Sequence, residues 1–255
     1  MKKYKLTITH LYPDHMNIYG DMGNIITLKR RCEWRSIDVQ ISKISLGDRL
    51  PSTTDIYFMG GGQDDDQLKV FEDLKKKSDT LIKHIDKGVC FLGICGAYQL
   101  LGKKFITGDG TSIDGIGLLN LVTQAPGNDV KIRCIGNIVA KLNNEVFNTE
   151  KFISDRVVGF ENHSGQTILS ENLRPLGYVL KGYGNNLIDK TEGVVYKNLI
   201  GTYMHGSFLP KNPHIADWLI KKALNNKYKK AKLKRLDDKE EWEAHQGILK
   251  MMNLE

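Results

Sequence analysis

"FLGICGAYQLLG", residues 91–102, places a cysteine where an apolar run stops and small residues take over. The run itself, "VCFLGI" (89–94), is continuously apolar, as expected of a strand buried on both faces of a parallel sheet. The residues after Cys95 read as the start of a helix. Cys95 therefore stands at a sharp strand-to-helix turn, and two readings compete for it. Free cysteines are among the residues most often buried, so it could be a structural thiol. Alternatively it is a nucleophile. A strand-to-helix turn lifts a side chain above the carboxyl edge of the sheet, where open α/β folds bind ligands. Helix N-terminal N–H groups favour negative charge there, and the following N–H helps to hold an oxyanion. Crowding at such a turn demands small neighbours, and Gly93, Gly96 and Ala97 supply them. A structural thiol needs none of these, so the catalytic reading is preferred for Cys95. Burial alone accounts for Cys90.

Working outward, strand-like and helix-like segments alternate. "YKLTITHL" (4–11) and "SIDVQISKIS" (36–45) read as strands, and "DIYFMGGG" (55–62) as a strand running into a glycine loop. "NIITLKRRCEWR" (24–35) carries Ile25, Leu28 and Cys32 at helical spacing. "DQLKVFEDLKKKSDTLIKHIDKG" (66–88) is a longer helix that stops at Gly88. This alternation predicts an α/β fold with a mostly parallel central sheet flanked by helices. Beyond residue 115 the pattern turns β-like, in "IRCIGNIVAKL", "RVVGFEN", "LGYVLKGYGNN" and "EGVVYKNLIGTYMHG", before "NPHIADWLIKKALNNK" (212–227) returns to helix. No repeat or low-complexity linker interrupts the chain. The expected division is one domain over 1–225 and a charged helical tail over 226–255.

With 255 residues the chain can bury a sizeable core. No run approaches the ~20 apolar residues of a membrane helix, and the N-terminus lacks a signal-peptide core, so a cytoplasmic protein is expected. Cys32, Cys90, Cys95 and Cys134 form no CxxC pair and no metal-like spacing with the histidines, which predicts reduced thiols and no metal site. The net charge of +7 is local: residues 221–235, "KKALNNKYKKAKLKR", hold eight Lys/Arg and no acid, and the remainder is almost neutral. A nucleic-acid-binding domain would spread its charge over a face, so nucleic acid is not expected as a partner. A solvated helical tail is the preferred reading, with a docking surface for an acidic partner or headgroups as the alternative.

A thiol at such a turn needs a base. "LIGTYMHGSFLP" (199–210) ends another apolar run at His205, on the same sheet edge as Cys95 if both strands are parallel. His163, in "FENHSGQT", is its rival. The glycines of "FMGGGQDDDQ" (58–67) permit close backbone approach and positive φ, and can aim N–H groups at an oxyanion. Asp64, Asp65 and Asp66 read as a helix N-terminus, since consecutive acids cannot all face one ion.

Taken together, "GGGQ", "GICGAYQLLG" and "GTYMHG" resemble the class I glutamine amidotransferases, in their cobyric-acid-synthase-like branch. "NIYGDMGNIITLKRR", "GFENHSGQT", "GYGNN" and "KNLIGTYMHGSFLPKNP" extend the resemblance to about residue 225 and narrow it to the glutaminase subunits of bacterial lipid II isoglutaminyl synthases. The resemblance implies a flavodoxin-like fold in which Cys95 attacks the side-chain amide of L-glutamine and His205 serves as base and acid. It also implies that Gly61 or Gly62, with Gly96, binds the oxyanion, and that Arg133 in "KIRCIGNIV" binds substrate. Ammonia would pass to a Mur-ligase-like subunit of a heterodimer that amidates the D-glutamate of lipid II, near the inner face of the membrane. No P-loop is present, so no cofactor is expected in this chain, with ATP and Mg in the partner.

Two positions depart from most class I members: Ala97 replaces glycine, and His205-Gly206-Ser207 lacks the His-x-Glu acid. Alanine suffices if its φ is negative. The missing acid leads to the expectation that the ligase subunit supplies it and that the isolated chain hydrolyses glutamine slowly. Three rival functions share the fold class: supply of ammonia to another ligase, cysteine hydrolysis of peptide amides, and binding without catalysis.

Overall fold

The computed structural model describes residues 4–127, 133–148 and 150–255. The chain opens with β1 (Lys5–Leu11), α1 (Met22–Glu33), β2 (Asp38–Ile44), β3 (Ile56–Met59), α2 (Asp64–Asp86), β4 (Cys90–Ile94) and the short α3 (Gly96–Leu100). A long β-rich excursion follows: β5 (Lys104–Ile106), β6 (Ser112–Asp114), β7 (Leu121–Gln124), β8 (Cys134–Leu142), α4 (Asn144–Phe147), β9 (Arg156–His163), β10 (Gln166–Leu169), β11 (Gly177–Lys181) and β12 (Thr191–Glu192). The chain then returns through β13 (Val194–Tyr196), β14 (Leu199–Thr202), α5 (Pro213–Tyr228) and α6 (Lys239–Met251).

The central sheet has six strands in the order β13-β14-β4-β3-β1-β2. All its pairings are parallel except the β13–β14 hairpin at one edge. Every residue of β3 and β4 is buried, as their unbroken apolar runs require of strands covered on both faces. Ile25, Leu28 and Cys32 of α1 and Ile215, Leu219 and Ile220 of α5 belong to that core. Each such side chain contributes roughly 1.5–3 kcal/mol on burial. The excursion builds two four-stranded sheets, β10-β7-β5-β6 and β12-β11-β8-β9, which carry the rim of the cleft described below.

The C-terminal segment differs from the solvated helix expected of it. Its basic side chains Lys229, Lys230, Lys232, Lys234 and Arg235 are exposed, in keeping with that reading. Residues 229–238, however, are irregular, and α6 is docked on the body. Leu249 packs against Val139 of β8 and Val158 of β9. The guanidinium of Arg31, 1% exposed, donates to Asp217 at 2.7 Å and with both terminal nitrogens to Asp238 at 2.8 and 3.1 Å. That fork fastens α1, α5 and the start of α6 together. Among the described residues no helix is long and apolar enough to cross a membrane.

Candidate active site

The parallel register brings the two sequence-predicted groups to one edge. Thr202 of β14 lies opposite Ile94 of β4, and Gly93 of β4 opposite Met59 of β3. Cys95, His205 and the 60–62 glycines therefore all leave the sheet at its carboxyl end. The Cys95 N–H still donates to Thr202 O at 2.8 Å, the last rung of the ladder. Its backbone then turns sharply, at φ 50° and ψ −104°, to become the cap of α3. A non-glycine residue there costs of order 1–3 kcal/mol, a strain that tends to persist at functional sites. Space explains the small neighbours: a Cβ on Gly96 would lie 2.9 Å from Gln67 Cδ, and Ala97, helical, is fully buried.

His205 is held by a backbone bridge to β9, its N–H donating to Phe160 O at 2.7 Å. A Cβ placed on Gly61 would sit 2.6 Å from His205 Cε1 and 3.4 Å from Cys95 Cβ. Thiol and imidazole thus flank one glycine. The His205 ring is 0% exposed, its Nε2 meets no hydrogen-bond partner among the described residues, and Tyr19 presents its ring edge-on at 5.1 Å.

A carboxylate from within the chain faces His205. Asp21, 0% exposed at the N-terminus of α1, places Oδ1 3.3 Å from His205 Nδ1. Its Oδ2 accepts the Gly61 N–H at 2.8 Å. Burial works against the imidazolium, but charge on the Cys95 sulfur and the Asp21 carboxylate outweigh it and lift the His205 pKa to about 10.

The glycine loop makes the expected close approach without the positive φ. None of Gly60, Gly61 and Gly62 has positive φ, but all are crowded, a Cβ on Gly62 meeting Met16 Sδ at 2.5 Å. The Gly61 N–H, one of the expected oxyanion donors, is already taken by Asp21. The Gly61 carbonyl accepts from Ile18 N–H at 3.2 Å, and peptide planarity turns the Gly62 N–H the opposite way. The Gly62 carbonyl accepts from Gln67 Nε2 at 3.0 Å. Gly62 and Gly96 remain as donors, since neither N–H meets an acceptor among the described residues.

A cleft of about 390 Å³ opens over Cys95, bounded by Tyr19, Gly62, Gln67, Arg133, Asn162 and His163. Arg133 is exposed at its rim and donates through Nε to Asn162 Oδ1 at 2.7 Å. His163, the rival base, is a wall of this cleft: it stacks on Tyr203 at 3.7 Å and is fixed by Gly165 O at 2.8 Å from Nδ1. Asp64, Asp65 and Asp66 form the first turn of α2, as expected. Among the described residues no three His, Cys, Asp or Glu side chains are grouped to hold a metal ion. A thiol in the cleft, a buried imidazole beside it with one free nitrogen, and unpaired N–H donors next to the thiol are the parts of an acyl-transfer site.

Residues 7–213 match the CobB/CobQ-like glutamine amidotransferase domain. The chain belongs to that family. It is 41% identical over 251 residues, 98% of this chain and 97% of the relative, to the lipid II isoglutaminyl synthase (glutamine-hydrolyzing) subunit GatD of Staphylococcus aureus (strain N315). The subunit of the same name from Streptococcus pneumoniae (strain ATCC BAA-255 / R6) is 40% identical over 226 residues, 88% of this chain and 83% of its own. A probable cobyric acid synthase of Methanopyrus kandleri is more distant, at 30% identity over 67% of this chain and 34% of its own length. The fold is that of class I glutamine amidotransferases. PurLQS from Thermotoga maritima superposes with a TM-score of 0.56 at 15% identity, over 88% of this chain and 99% of that one. A glutamine amidotransferase from the same organism superposes with a TM-score of 0.53 at 16% identity, over 98% and 95%.

Proposed function

We propose that the chain is the glutaminase subunit of a lipid II isoglutaminyl synthase, hydrolysing L-glutamine and delivering ammonia to an ATP-dependent, Mur-ligase-like partner. The meeting of Cys95 and His205 across Gly61, under a cleft with two free N–H donors, carries the chemical half of this reading. The near-full-length identity to two subunits of that name supports the biological half.

Cys95 Sγ attacks the side-chain amide carbon, and the negative oxygen that forms is held by the Gly62 and Gly96 N–H groups. His205, having taken the thiol proton, returns it to the departing nitrogen, so the C–N bond breaks and ammonia leaves a γ-glutamyl thioester. Water then attacks the thioester carbon and gives a proton to His205. The C–S bond breaks, glutamate departs and the proton returns to sulfur. Arg133, steadied by Asn162, offers a fork to the free carboxylate of glutamine. Ammonia goes to the partner, which amidates the α-carboxyl of D-glutamate in lipid II at the inner face of the membrane. ATP and Mg act in that partner.

The deciding measurement is glutamate release by the co-expressed complex carrying Cys95→Ala or His205→Ala. Both substitutions are expected to lower turnover by at least about 10³-fold, as loss of a nucleophile or base does in related triads. Undiminished hydrolysis in the Cys95→Ala complex would refute the thioester route. Lipid II left unamidated by an active complex would refute the assigned acceptor.

A further inference from the structure

We propose that Asp21 is a positioning residue with two duties, orienting the His205 ring through one oxygen while fixing the oxyanion strand at Gly61 through the other. The inference rests on the reading of Cys95 and His205 as nucleophile and base.

An imidazole that must take a proton at Nε2 needs its Nδ1 protonated and held, and a buried carboxylate does both. Asp21 Oδ1 is the carboxylate oxygen that faces His205 Nδ1, at 3.3 Å, and Nε2 is left without a protein partner. The second oxygen holds the Gly61 N–H at 2.8 Å, while Ile18 N–H holds the carbonyl of the same residue at 3.2 Å and so turns the Gly62 N–H of that peptide to the other side. One side chain thereby orients the base and anchors the peptide that precedes the oxyanion donor. Both members of the pair are fully buried, where a charge-assisted contact is worth most.

The turn that carries Asp21 is braced by the position where other class I chains have their acid. Ser207, two residues after His205, donates through Oγ to Gly20 O at 2.6 Å. Two residues further on, Leu209 N–H donates to Asn24 Oδ1 at 2.8 Å. The segment after His205 therefore clamps the N-terminus of α1, and the carboxylate enters from α1 instead of from the His205 segment.

Asp21→Asn separates this role from mere packing, because the amide keeps the shape but cannot accept from both Gly61 N–H and His205 Nδ1–H. Two readouts are used: glutamine turnover by the complex, and NMR titration of the ¹³Cε1 of His205 in the chain. Turnover is expected to fall by about 10³-fold with KM changed by less than about threefold. The His205 midpoint is expected above the ordinary 6.5 in the unaltered protein, and at least about one pH unit lower in Asp21→Asn. Unaltered turnover in Asp21→Asn overturns the proposal, and so does a wild-type His205 midpoint at or below 6.5. If Asp21→Asn does not fold, the wild-type titration alone decides. The titration needs no substrate: the expected midpoints in a protein that does not hydrolyse glutamine would keep Asp21 in its role and remove the glutaminase reading.

Discussion

His205 and His214 lie nine residues apart in sequence and are both buried, 0% and 8% exposed, yet their protonation is driven in opposite directions. His205 is lifted to about 10, because a carboxylate and a sulfur charge overcome the cost of burial. His214 is pushed down to about 3 by burial, reinforced by the nearby His245 and Arg31. It sits at the α5–α6 junction, stacked on Trp242 at 5.3 Å and edge-on to Phe152 at 5.2 Å. What replaces water around a buried imidazole decides its chemistry. Charged partners make a base that can hold and return a proton; aromatic partners make a neutral wedge.

The comparison can also be broken, without touching either charged partner, at the glycine between thiol and imidazole. Gly61→Ala puts a Cβ 2.6 Å from His205 Cε1, with Ile18 Cγ1 at 3.2 Å and Cys95 Cβ at 3.4 Å on its other sides. The ring must swing away from Cys95 or Asp21. Turnover is expected to fall by about 10²-fold, the usual result of misplacing a reacting group by about an ångström. His214 and the α6 contact are remote from this change, so the stability of the tail should be untouched. Glutamine kinetics alongside a low-pH unfolding curve test both halves at once.

The second prediction takes the neutral histidine. A histidine with a lowered folded pKa binds fewer protons folded than unfolded, so its stabilisation is complete above the unfolded value of 6.5 and is lost as pH falls toward about 3. At about pH 5 the His214 contribution is expected to be roughly 2 kcal/mol smaller than at neutrality. His245 shifts in the same direction through burial, with Arg156 adding to it, so the two act together on α6. Urea midpoints of the unaltered chain and His214→Phe, each at about pH 7 and 5, isolate the effect. A pH dependence equally steep in both proteins would place the acid sensitivity elsewhere.

The ease of reading these regions from sequence follows from how local their causes are. Cys95 and His205 each end an apolar run, so strand pattern and elbow chemistry lie within a dozen letters of one another. Asp21 touches His205 across 184 residues, from a turn whose composition is ordinary for a turn. The one sequence signal for an acid elsewhere is its absence at Ser207, which does not say whether α1 or another chain supplies it. Of the two properties the triple glycine offers, close approach is the one used, since neighbouring Met16, Ile18 and His205 leave no room for side chains, and positive φ is not. Arg133 became a candidate only through family resemblance, because its partner Asn162 is contributed by an antiparallel neighbour strand. The docking of α6 has a local signature: half-buried Trp242 and buried His245 and Leu249 fall at helical spacing and form its inner stripe, but the flanking charge run obscures it.

The smallest effect is expected where charge acts without burial. Arg133 is as charged as the groups around His205, but it stands exposed at the rim of the cleft with only Asn162 to steady it. Water screens it, so its contact with a substrate carboxylate lies at the low end of charge-assisted bonds, about 1.5 kcal/mol or about tenfold in KM. Since that contact is made equally before and during reaction, kcat should change little in Arg133→Ala. Arg133→Lys retains the charge but not the fork, and should fall between. A loss confined to kcat would mean that Arg133 acts on the reacting amide and not on the free end of glutamine. The contrast drawn from the two histidines would then extend to the rim, with charge gaining its influence from substrate closing over it.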